Sequence, residues 1–103
     1  MPEMTVTVRW PDGTVAEHYS PSLVMHDHLA PGRTYSVADF ATRSTAALAE
    51  ASERVRARFG YACTSAAASA SQIQRIAGTH APSDTVEVLA MEPPLPSKHA
   101  NED

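Results

Sequence analysis

The chain is poor in the residues that staple, cradle or span. It has one cysteine in 103 residues, so no internal disulfide can form, and Cys63 stands alone. Four glycines leave no glycine-rich loop to wrap a phosphate. No run approaches the ~20 apolar residues that a membrane helix needs, and no basic segment leads into an apolar one at the N-terminus. A cytoplasmic protein without a membrane partner is expected. Basic residues are also scarce. Eight Lys and Arg face twelve Asp and Glu, giving a net charge of −4, which argues against nucleic acid because phosphate binding needs a basic patch. Arg54, Arg56 and Arg58 do cluster, but with Glu50 and Glu53 beside them they read as a solvated helix face. A chain of this length has room for one modest core, and a deep cavity would compete with it.

What is present is patterned. In "MTVTVRW", Met4, Val6, Val8 and Trp10 alternate with Thr5, Thr7 and Arg9, the period of a half-buried strand. "PDG" at 11–13 is a turn: Pro11 presets φ, Asp12 bonds locally and Gly13 accepts a positive φ. "TVAEHY" returns as the second strand of a hairpin, with His18 on the same side as Ala16. Ser20 as N-cap and Pro21 at the first helical position predict a two-turn helix ending at Leu29, with Leu23 and Val24 inward. A long helix follows. Ser36 and Asp39 have the spacing of a capping box, Val37, Phe40, Leu48, Ala51, Val55 and Phe59 form the inner stripe, and Gly60 is the stop. "CTSAAASASQIQRIAG" predicts a third helix, capped by Thr64 or Ser65 and ended by Gly78, whose small face packs on the long one. "DTVEVLAME" is the last strand, with Val86, Val88 and Ala90 on one face and Leu89 and Met91 on the other. The expected fold is α+β: two layers in the order β-β-α-α-α-β, a three-stranded sheet with its last strand beside the first and helices on one face. Residues 1–92 form the single domain, and the proline-rich, polar segment 93–103 reads as a disordered tail.

Chemistry-bearing residues are few. Cys63, near a helix start, has two readings: backbone N–H groups can stabilise its thiolate, or it is a small core residue. As a nucleophile it would need a base, for which His18, His26, His28 or His80 could serve, with His28 and His18 the first candidates. In "HYSPSLVMHDH", His26 and His28 would lie about 200° apart on a helix and could not share an ion. No metal or other cofactor is expected, and His28 with His18 is the weak candidate for a metal pair. Tyr35 and Tyr61 flank the long helix and, with Arg33, could edge a small ligand pocket.

Together "VRWPDG", "YSPSLV", "HLAPGRTYSVADF", "ASERVRARFGYAC" and "TVEVLAME" resemble the small bacterial nitrogen-starvation response proteins typified in mycobacteria, from Met4 to about Glu92. The family pattern has a cysteine matching Cys63 and a Ser–Pro pair matching Ser20 and Pro21, and this sequence departs from it at His26. The resemblance implies induction under nitrogen limitation and a pathway shared with neighbours: a nitrilase, a radical-SAM protein, an acetyltransferase and a flavin-dependent oxidoreductase. It supplies no catalytic residue. The function expected is a non-enzymatic accessory protein that binds one of those enzymes, with a homodimer through the sheet also open. The alternatives are a small Cys/His enzyme or metal-binding protein, and a small-metabolite sensor.

Overall fold

The alternation in the first strand survives intact. In a computed structural model describing residues 3–60 and 64–93, β1 (Met4–Arg9) buries Met4, Val6 and Val8, and Trp10 follows them inward. A tight turn reverses the chain: Gly13 N–H donates to Trp10 O and Trp10 N–H to Thr14 O, both at 2.8 Å. Gly13 sits at φ 90°, where a side chain would strain the backbone. β2 (Val15–Ser20) then pairs antiparallel with β1, His18 opposite Val6.

The predicted two-turn helix is instead a 3-10 helix over Leu23–Asp27, capped by Ser22 rather than Ser20. Ser20 is already committed, since its hydroxyl donates to Ser22 O at 2.8 Å and accepts from Ser22 N–H. Five residues suffice to bury Val24 and Met25 but are too few to propagate an α-helix.

A strand of three residues, β3 (Thr34–Ser36), adds a fourth member to the sheet, whose order is β2-β1-β4-β3 and whose pairs are all antiparallel. The expected count of three strands and three α-helices is thus corrected to four strands, two α-helices and one 3-10 helix. Three residues are too short to show a period, so the strand was hidden in sequence. Ser36 ends β3 and also caps α1 (Val37–Phe59), accepting from Asp39 N–H at 3.0 Å. The two donors before it are satisfied from elsewhere. Val37 N–H reaches Asp84 O at 2.7 Å and Ala38 N–H reaches Pro82 O at 3.1 Å, so three of the four open N–H groups of the first turn have partners.

α1 buries Val37, Phe40, Ala47, Leu48, Ala51 and Val55, together with Ser44. Phe59, expected in that stripe, is 51% exposed. α1 is about 35 Å long, and Phe59 in its last turn lies outside the core cluster. Gly60 then ends the helix at φ 87°, as the sequence predicts. α2 (Thr64–Ala77) lays Ala66, Ser69 and Ile73 into the core and packs on α1 through its short side chains.

β4 (Thr85–Glu92) returns between β1 and β3. Its pairing with β1 slips by one residue: Thr7 faces Ala90 but Val8 faces Val88, leaving Leu89 as the extra residue of a bulge. The slip changes which residues point inward. Val86, Val88 and Met91 are buried, while Leu89 and Ala90 are only partly so, which corrects the simple alternation read from sequence. The inner faces of sheet and helices close on a single core.

The bulge makes a stability prediction. Met91→Ala should cost about 2–5 kcal/mol, as truncation of a buried methionine does, and Leu89→Ala distinctly less. Urea unfolding of both variants checks it, and similar small losses for the two would mean that the strand pairs without a slip.

Candidate functional site

The four histidines that the sequence offered near the first hairpin and the 3-10 helix, and after α2, are held in separate places. His18, projecting inward from β2, is wholly buried, and its Nδ1–H donates to Gln72 Oε1 of α2 at 3.1 Å. Burial pushes its pKa below the usual histidine value, opposed in part by the bond to Gln72, so the ring is neutral at pH 7. His26 donates from Nε2 to Pro93 O at 2.9 Å. His28, just past the 3-10 helix, donates from Nε2 to Glu50 Oε1 at 3.1 Å, which holds that carboxyl below its ordinary range. His18 and His28 are therefore bonded to different partners on different helices, and the structure does not pair them. Among the described residues, no group of three or more His, Cys, Asp and Glu could hold a metal ion.

Cys63 and Tyr61 lie outside the described residues, as does the tail from 94 onward. Of the other ligand candidates, Tyr35 accepts from Ala30 N–H at 3.0 Å through its hydroxyl, and Arg43 lies 5.2 Å from its ring centroid. Arg33 is exposed, and its backbone carbonyl accepts from Val88 N–H at 2.9 Å. Both residues serve the β3–β4 margin. The arginines of α1 behave as a solvated face, Arg54 with Glu50 and Arg56 with Glu53.

The described residues line several surface depressions, of which two are mainly apolar. One is a groove of about 240 Å³ between α1 and α2, lined by Leu48, Ala49 and Ser52 on one side and Ala66, Ala67 and Ala70 on the other. The short side chains that let the two helices approach also leave this furrow on the outer side. The other is a cleft of about 260 Å³ at the turn of the first hairpin, formed by Trp10, Asp12 and Ala16 with Arg75, Ile76 and His80. His80 lies nearly parallel to the Trp10 indole, centroids 5.8 Å apart, while Phe40 and His18 meet the indole edge-on at 5.3 and 6.0 Å. Sequence reasoning treated Trp10 as core, which is right for its ring at 2% exposure, but it missed the cleft. The signal was spread over positions 10–16 and 75–80, which only the fold joins.

The sequence model of the family described as "Nitrogen starvation-induced protein NitG" matches residues 5–91, from β1 to the penultimate residue of β4. The chain belongs to this family. No curated protein and no solved structure matches it. Both depressions and His18 lie within the matched residues. No described helix is long and apolar enough to cross a membrane.

His18 gives a pH prediction. The unfolded histidine takes up a proton near pH 6.5 while the folded one resists it, so the unfolded state binds more protons below that pH. Stability should fall as pH drops from about 6.5 through the depressed folded value, with a slope of at most about 1.4 kcal/mol per pH unit from this group, and be insensitive to it above. Urea midpoints of wild type and His18→Leu between pH 8 and 5 read this out. Equal pH slopes for the two proteins would exclude His18 as the source.

Proposed function

We propose that this nitrogen starvation-induced protein is a non-enzymatic accessory protein that works by binding a partner enzyme. The observation that carries the reading is the groove between α1 and α2. It is an apolar furrow on the helical layer, of the kind that accepts an amphipathic helix or an apolar ridge of another protein. Phe59 lies two turns beyond Ser52, seven residues on and so on the same side of α1, where it leaves half of a large apolar side chain exposed. The charges near the groove offset one another in Glu–Arg pairs, which suits an uncharged docking segment.

The commitments of the histidines support the non-enzymatic part. A general base must reach a substrate, and His18 is enclosed while His26 and His28 are bonded to Pro93 O and Glu50. The partner proposed is an enzyme of the same pathway, such as a nitrilase, a radical-SAM protein or a flavin oxidoreductase, which the resemblance places beside this family.

Co-expression with each of these enzymes, followed by size-exclusion chromatography with light scattering, tests the proposal. One of them should elute as a stoichiometric complex at about 10 µM, a concentration at which micromolar interfaces hold. Ala67→Arg places a charge on the exposed lip of the groove and should weaken that complex at least tenfold, about 1.4 kcal/mol, without unfolding the chain. Absence of a complex with all three, or a complex indifferent to Ala67→Arg, would overturn it.

A further inference from the structure

We propose that the cleft at the turn of the first hairpin binds a small zwitterion, an α-amino acid with an apolar side chain. The inference is independent of the groove, which lies between the helices.

The size limits the ligand first. At about 260 Å³ the cleft falls below the 300–1,000 Å³ common for sites that take cofactors and drug-sized molecules, a size that suits a metabolite of few heavy atoms. Its wall is apolar. Ala16 and Ile76 face it beside Trp10, whose ring is held on one face by His80 and at its edges by Phe40 and His18. A wall fixed in that way loses little conformational freedom when an aliphatic chain settles on it.

The charges specify the rest. Asp12 comes from the hairpin turn and Arg75 from the last turn of α2, so opposite signs border one small cleft. They are not paired with each other, and the Arg75 guanidinium makes no hydrogen bond or ion pair with any described residue. Asp12 accepts from Thr14 N–H at 2.9 Å through Oδ1. That bond holds its carboxyl below the ordinary aspartate range, so it remains ionised. An ammonium group meets Asp12, a carboxylate meets the guanidinium as a planar fork, and the aliphatic side chain covers the wall. A purely anionic ligand would face the carboxylate unpaired, and a purely cationic one would face the guanidinium.

Trp10 is the chain's one tryptophan, so its emission reports directly on the cleft. The probes are L-leucine, L-leucinamide, which lacks the carboxylate, and 4-methylpentanoate, which lacks the ammonium. L-Leucine should give a saturable change in emission, and each analogue should bind about tenfold more weakly, the ratio expected for one lost charge-assisted bond. Arg75→Gln should bring leucine down to the affinity of leucinamide, and Asp12→Asn, which keeps the turn, should bring it down to that of 4-methylpentanoate. Both positions are exposed, and unchanged circular dichroism confirms folding. No saturable change up to about 50 mM leucine, well beyond millimolar affinity, overturns the proposal. So does equal binding of either analogue, or indifference to both substitutions.

Discussion

The indole of Trp10 is the joint on which the rest of the structure depends. It ends the inward row of β1, and its ring meets residues of three other segments: His18 of β2, Phe40 of α1 and His80 beyond α2. The contacts with Phe40 and His80 join parts of the chain that no local rule would bring together. Edge-on aromatic contacts add of order 1 kcal/mol each beyond the area they bury, which matters in a small domain whose whole stability is about 5–15 kcal/mol. His18, at the edge of the ring, bonds Gln72 of α2, and His80, on its face, follows the same helix.

The bulge at Leu89 is the second organising feature. Without it, the inward residues of β4 would be Val86, Val88 and Ala90, and a small side chain would stand where Met91 now fills the core. The extra residue turns the strand so that its longer apolar side chain points inward at the end nearest Met4 and Val6. The outer face is correspondingly mixed. Arg9 and Glu87 pair directly across β1 and β4 at 3.0 Å, a contact of small energetic value at half-exposed positions but one that keeps opposite charges in register.

Much of this was legible in the sequence because it rests on local rules. The hairpin followed from alternation and from Pro11-Asp12-Gly13, and the limits of α1 followed from Ser36 and Gly60. What was hidden depends on distance or on counting. A three-residue strand carries no period, and Leu89 resembles any other strand residue until its partner Thr7–Val8 step is known. The exposure of Phe59 depends on what the last turn of α1 packs against. The two depressions are harder still, since residues 48–52 with 66–70, and 10–16 with 75–80, meet only after the helices dock. The family was the exception: its combination of short stretches was recognisable, and the match over residues 5–91 bears it out.

Ser36 belongs to a strand and a helix at once, with no loop between them. The chain therefore has no slack at this corner. A residue inserted after Ser36 would rotate α1 by about 100° relative to its cap, carrying Phe40 off the indole and Ser36 out of reach of Asp39 N–H. Length variation within such a fold is confined by this corner to the segments that precede β3 and follow α1, and the spacing from Ser36 to Phe40 is fixed as firmly as any side chain.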